Sequence, residues 1–301
     1  MKLKLPRIFL YLLVLIFILN LLQAYFTELI FDEAYYWYYA QNMAWGYFDH
    51  PPMVALMIKI SSLFFSGELG VRFISTLFSA GTYIALWFLF DNKEKNKYIR
   101  HYFVLIFSMT LIHAYGFLTL PDPPLLFFTA LFLLFYKKFL KSPSIGISII
   151  LGLAMAALMY SKYHAVLVIL FVLASNLRLV FNKYAWLSVL VSLICYTPHF
   201  IWLINNDFIS IKYHLFERPN RAYEFGDFTV GFFINLMVIF GLTFPWIYRA
   251  LLKTNKNDTF NRALLFLIYG IIAFFFISSF NRRIQTQWLI VICIPMIVVV
   301  Y

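Results

Sequence analysis

Long apolar runs, each closed by a short polar stretch, recur from one end of the chain to the other. They fall at roughly 8–26, 70–90, 102–119, 124–140, 144–160, 164–181, 185–204, 229–248, 263–280 and 287–301. A helix rising about 1.5 Å per residue needs about 20 apolar residues to cross a hydrocarbon layer of about 30 Å. The pattern therefore predicts an all-α, polytopic membrane protein with about ten transmembrane helices. Met53 to Phe65 does not fit this series: it is apolar, but as a helix it would reach only about 20 Å, and Lys59 sits midway along it. It is expected to lie flat on the membrane surface.

The longest polar interruption in the first third runs TELIFDEAYYWYYAQNMAWGYFDHPP, from Thr27 to Pro52. It contains Glu28, Asp32, Glu33, Asp49 and His50, and neither Lys nor Arg. Acidic groups between apolar spans are costly unless they are paired, interfacial or used. Asp32 and Glu33 open a predicted short helix reaching about Met43, so residues 27–69 form one large loop with two surface helices. A second large loop covers 205–228. No linker or soluble domain separates these parts, and 1–301 is read as a single transmembrane domain.

Composition agrees with the pattern: the 301 residues are 63% hydrophobic and 12% charged, with a mean hydropathy of +0.82. The net charge of +11 would suit nucleic acid, but the basic residues occur in short clusters between spans, which the positive-inside rule describes. Nucleic acid is therefore excluded as a partner. With Met53–Phe65 on the surface, the N-terminus and the loops at 93–100, 137–141, 178–183 and 249–262 share one side. That side receives 16 of the 24 basic residues, and the other receives 10 of the 13 acids. The N-terminus is expected in the cytoplasm of an inner-membrane protein, and MKLKLPR leads into a retained first span rather than a cleaved signal. Cys195 and Cys293 lie in apolar runs, which argues against a disulfide framework or thiolate metal site.

Once the spans are threaded this way, the remaining polar groups collect on the extracytoplasmic face: Asp122 in LPDPP, Lys162 and His164 in SKYH, the 205–228 loop, and Asn281 to Gln287. Convergence of this kind points to one site. Each residue also has a plainer role: Asp32 could cap its helix, Asp122 could be a turn Asp between prolines, and Lys162 could snorkel. Arg218, Arg221, Arg282 and Arg283 offer guanidinium forks for phosphate or for lipid headgroups. Asp49 and His50 could share a divalent metal, though two ligands do not specify a site.

The runs FDEAYYWYYAQNMAWGYFDHPPMVALMIKI, GELGVRFISTLF, LPDPPLLFF and GLAMAALMYSKYHAVL, taken in order, resemble the membrane glycosyltransferases of the GT-C class. More narrowly they are similar to the family 39 and 83 group, which includes protein O-mannosyltransferases and the aminoarabinose transferase of lipid A. The likeness covers roughly Met1 to Ile204. It implies two surface helices in the first extracytoplasmic loop, a polyprenyl-phosphate sugar as donor, a lipid, glycan or protein acceptor, and inverting transfer. No cofactor is required by it, and a divalent metal stays open. Among the residues, it implies Asp32 as the base, Glu33 as its positioner and Asp122 as the second acidic motif. His50 and Lys162 are placed at the donor phosphate, with Arg218 and Arg221 as further cations. His50 stands where several relatives carry Lys, and a partly charged imidazole shifts weight to those other cations. Relatives of this kind are longer, so a truncated or minimal form is expected.

The alternative is a transporter or flippase of a lipid-linked substrate, whose mark would be ionisable residues at mid-membrane depth and interrupted helices. A hydrolase with two carboxylates is a third option. The gathering of polar residues at one face favours the transferase.

Overall fold

A computed structural model describes residues 5–91, 94–217, 222–255 and 257–301. Among these, the elements are helical throughout. The first span is α1 (Arg7–Phe26). Two short helices follow, α2 (Phe31–Gln41) and α3 (Met53–Ser61), then the long α4 (Gly67–Leu89). Next come α5 (Ile99–Ser108), α6 (Thr110–Ala114), α7 (Asp122–Lys141), α8 (Ile145–Ser161), α9 (Ala165–Ala174) and α10 (Lys183–Asn205). The last third holds α11 (Ile209–Lys212), α12 (Gly231–Val238), α13 (Phe244–Leu252), α14 (Thr259–Ser278) and α15 (Cys293–Val300).

Each of the ten apolar windows is occupied by helix, but only α1, α4, α7, α10 and α14 are both long and apolar enough to cross a bilayer unaided. A sixth candidate is the pair 226–238 and 241–252, bent by 95°. The bend falls at Gly241, whose φ of +54° is left-handed, and a Cβ there would lie 2.7 Å from the Ser108 carbonyl oxygen. Only glycine tolerates both conditions. The window at 102–119 breaks at Met109, and the window at 164–181 ends as α9 followed by a 3-10 turn over Leu177–Phe181. Hydropathy reports apolar length and is blind to such breaks.

The helices pair as α4 with α1 and α7, α8 with α7 and α10, and α9 with α14. At the α8–α10 crossing, a Cβ on Gly152 would stand 2.5 Å from the Ser188 carbonyl. The two backbones approach that closely because a small residue is there, the usual device for helices packed in lipid. Only 28% of the apolar window of α1 is buried inside the protein, which leaves most of its side chains to face hydrocarbon. Two short helices occupy the loop where surface helices are expected: α3 is 9 residues long, far short of a span, and it packs on α2 and α4.

A buried ion pair fixes this loop. Arg72 and Glu33 both have no exposed side-chain surface. The Arg72 Nε donates to Glu33 Oε1 at 2.8 Å and Nη2 to Oε2 at 2.5 Å. The remaining guanidinium hydrogens go to the carbonyls of Ala24, Thr27 and Glu28 and to the Thr27 hydroxyl. Glu33 also accepts from the amides of Thr119 at 2.8 Å and Ile30 at 3.2 Å. One pair thereby joins the end of α1, the start of α2, α4 and the turn before α7.

Candidate active site

Where α2, α7, α14 and the loops beside them meet, a cavity of about 560 Å³ opens, within the usual range for small-molecule sites. Asp32, Tyr36, Asp49, His50, Asp122, Lys162 and Arg282 all reach its wall. The sequence scatters these groups over five segments, and the fold brings them together.

Asp32 is the second residue of α2, set there by the Glu33 anchor one residue on; its own side chain is exposed. Neighbours on a helix point about 100° apart, so anchoring Glu33 inward turns Asp32 toward the opening. Glu33 itself lies behind the wall with both oxygens occupied, where it can position Asp32 but cannot reach a substrate.

Asp122 is the first residue of α7, followed by Pro123 and Pro124, residues suited to a first helical turn because their missing amides have no partner to lose. Lys162 ends α8 in extended conformation, just where the chain breaks before α9. Its Nζ lies 2.7 Å from Asp122 Oδ1, and both residues are buried. The sequence assigned the two to separate tasks; in the structure they form one ion pair, and Asp122 offsets the charge Lys162 presents to the cavity.

The loop carrying Asp49 and His50 is tied down from several directions. The His199 ring contacts the Trp45 carbonyl through Nδ1 at 2.6 Å, the Ser210 hydroxyl donates to the Tyr47 carbonyl at 2.7 Å, and His214 Nε2 meets the Asp49 carbonyl at 2.8 Å. The Asp49 carboxylate accepts from the hydroxyls of Tyr39 at 3.1 Å and Tyr35 at 3.3 Å. His50 Nδ1 is 3.0 Å from Asp49 Oδ1, close enough for an ion pair but too poorly aligned for a regular hydrogen bond. Burial alone would raise the Asp49 pKa; the His50 ring and the two phenols more than reverse it, and its carboxyl titrates below the usual range. Tyr36, its hydroxyl 3.5 Å from His50 Nε2, is pushed far up by burial and then by the charges of Asp49 and Asp32, so it stays protonated.

Asp49 and His50 are adjacent, but no group of three His, Cys, Asp or Glu side chains placed to hold a metal occurs among the described residues. The ring of His214 turns to the Asp49 backbone rather than its carboxylate. These donors do not make up a metal set.

Arg218 and Arg221 lie outside the described residues. Arg282 does line the cavity, oriented by donating from Nη1 to the His214 carbonyl at 2.9 Å. Arg283 points elsewhere, 3.9 Å from Asp227. Segment 281–288 is held on α12, where Asn235 donates to the Ile284 carbonyl at 2.8 Å and accepts from Thr286 at 2.6 Å. Aromatic rings complete the cavity: His164 packs against Phe275 and Trp288 at centroid distances of 5.3 and 5.4 Å. Sequence reasoning missed His214 and Arg72 altogether. Arg72 had a usable signal, since a guanidinium inside an apolar helix requires an anion; His214 had none beyond its place in the second large loop.

A smaller apolar pocket of about 250 Å³ adjoins the site, sharing Tyr163, Val166, His214 and Leu215 with it. A larger cavity of about 1230 Å³ opens among basic groups at the other end of α7 and α14. Its two carboxylates among the described residues, Asp91 and Asp258, are engaged by Lys137 and Lys141 and by the Asn261 amide, so the cavity of about 560 Å³ is the candidate active site.

Residues 49–202 match the family described as dolichyl-phosphate-mannose-protein mannosyltransferase. Among curated proteins, the chain is 23% identical over 282 residues to the lipid A galacturonosyltransferase RgtD of Rhizobium johnstonii, covering 87% of this chain and 58% of that one. Among solved structures it is similar to ArnT of Cupriavidus metallidurans, in the apo state with a TM-score of 0.73 and bound to undecaprenyl phosphate with 0.71. Identity to both is 15%, over 97% of this chain and 58% of the other. The chain thus spans a little under three fifths of the length of the relatives it matches.

Proposed function

Since the chain belongs to the dolichyl-phosphate-mannose-protein mannosyltransferase family and has the GT-C membrane glycosyltransferase fold, we propose that it moves a sugar from a polyprenyl-phosphate donor to a hydroxyl acceptor. The observation that carries this reading is the meeting of Asp32 with Lys162 and Arg282 around one cavity. The relatives supply the substrate class: one is described as acting on lipid A, and a structural relative holds undecaprenyl phosphate. A lipid acceptor is therefore preferred over a protein or a growing glycan.

The proposed reaction inverts the anomeric carbon. Asp32 takes the acceptor hydroxyl proton while that oxygen bonds to the anomeric carbon. The bond from the same carbon to the phosphate oxygen breaks, and its electron pair leaves with the polyprenyl phosphate. Negative charge grows on the departing phosphate, and preplaced cations that meet it there lower the barrier most. Lys162, Arg282 and His50 take that role here, with Arg218 and Arg221 as further candidates. Asp122 fixes Lys162 in place. Charge asymmetry of the loops supports a cytoplasmic N-terminus and an extracytoplasmic site.

The test is reconstitution in liposomes with a panel of polyprenyl-phosphate sugars and lipid A, followed by mass spectrometry of both lipids. Transfer leaves free polyprenyl phosphate and a heavier acceptor. Movement of intact donor across the bilayer with the sugar still attached would replace this reading with a transporter.

A further inference from the structure

The large cavity at the opposite end of the bundle has a chemistry of its own. Its wall takes Lys137 and Lys141 from the C-terminal end of α7, Arg178 from the 3-10 turn after α9, and Arg262 from the first turn of α14. Two carboxylates face these four cations, and both are already committed. Asp91 stands 2.8 Å from Lys137 Nζ and 3.5 Å from Lys141 Nζ. Asp258 caps α14, accepting from the Asn261 amide at 2.8 Å. Arg178 and Arg262 are exposed and have no acidic partner among the described residues. Between the charged groups the wall combines hydrocarbon, including Phe139, Leu140 and Phe266, with the polar side chains of Asn176, Asn182 and Asn261.

A site that sets unpaired guanidinium groups beside apolar surface, at the depth where spans end, suits an amphiphile with an anionic head. We propose that this cavity holds an anionic phospholipid of the adjoining leaflet, its phosphodiester on Arg178 and Arg262 and an acyl chain along the apolar wall. The occupant links distant parts of the fold. α7 and α14 are each 20 residues, about 30 Å long, and both run from this cavity to the candidate active site, which they line with Asp122 and with Phe275 and Ser278. A lipid bound across the Lys-rich end of α7 and the Arg262 end of α14 ties the two helices together far from the chemistry, and binding to the folded state alone raises its stability.

The experiment uses purified protein in nanodiscs containing equal phosphatidylglycerol and phosphatidylcholine with matched acyl chains, read by native mass spectrometry and thermal unfolding. The parent is expected to retain phosphatidylglycerol over phosphatidylcholine by on the order of tenfold, the scale set by two cations near a headgroup. The Arg178→Gln/Arg262→Gln variant is expected to lose that preference, and Lys138→Gln, an exposed cation outside the cavity, to keep it. Equal retention of the two lipids by the parent, or an unchanged preference in the double variant, overturns the proposal. Stabilisation by inorganic phosphate equal to that by phosphatidylglycerol also overturns it, in favour of a free-anion site. Should the double variant fail to fold, the parent's lipid preference and the phosphate arm still decide.

Discussion

Arg72 grips the Glu33 carboxylate at both oxygens, 2.8 Å from Nε to Oε1 and 2.5 Å from Nη2 to Oε2, with neither side chain touching solvent. The guanidinium also reaches three backbone carbonyls and a hydroxyl. A lysine has one nitrogen and cannot serve this geometry. Removing one partner strands the other charge, at a cost of about 3–5 kcal/mol. Glu33→Gln and Arg72→Lys should therefore both lower the unfolding temperature in detergent sharply. An Arg72→Lys protein as stable as the parent would remove the pair from its place as the anchor of α2.

Asp32 differs from its neighbour in having an exposed side chain on the cavity wall. If it accepts the acceptor's proton, Asp32→Asn should leave unfolding unchanged and lower kcat by about 10²- to 10⁴-fold, with little change in donor KM. Turnover within a few-fold of the parent would eliminate Asp32 as the base.

The buried pair of Lys162 and Asp122 confounds a single substitution, because Lys162→Met leaves a bare carboxylate in the wall and destabilises the fold for that reason alone. The double variant Lys162→Met/Asp122→Leu separates the two effects. Its unfolding temperature should recover toward the parent's, since replacing both members of a buried pair by apolar groups is tolerated, while transfer stays lost. A double variant that still transfers sugar at near the parental rate would show that Lys162 does not serve the phosphate.

Much of this layout was readable in the chain. A charge-based side assignment, made with Met53–Phe65 kept out of the membrane, already sent Asp32, Asp122, Lys162 and Asn281–Gln287 to one face, and of these Asp32, Asp122, Lys162, Asn281, Arg282, Gln285 and Gln287 line one cavity. The helices at every apolar window were readable too. Pairing was not: nothing in LPDPP or SKYH says that Asp122 and Lys162, 40 residues apart, meet at 2.7 Å. Glu33 was placed near the chemistry because it adjoins Asp32, yet a helical turn of about 100° between neighbours is enough to bury one and expose the other. The breaks at Met109 and Gly241 were also hidden, since a dihedral change leaves hydropathy untouched. The pairing of Asp49 with His50 was visible as adjacency, whereas the two tyrosines that bind the same carboxylate depend on the turn of α2.

That carboxylate has a pH signature whose sign can be worked out. Burial raises the Asp49 pKa, and His50 with the Tyr39 and Tyr35 hydroxyls lowers it further than burial raises it, so the net folded value is below the ordinary one. A depressed folded value means that the unfolded chain binds the proton more readily. The charged form therefore stabilises the fold throughout the range above the ordinary carboxylate value, and this contribution disappears as pH falls through the lowered value. Asp49→Asn removes it at every pH. Comparing the parent with Asp49→Asn should give a stability difference that is constant near about pH 7 and shrinks by about pH 2. Trp45, in the same loop with its carbonyl on His199, provides the fluorescence to follow it. A difference of the same size at both ends of that range would mean that Asp49 titrates at its unperturbed value and that the tyrosine and histidine contacts do not hold its charge.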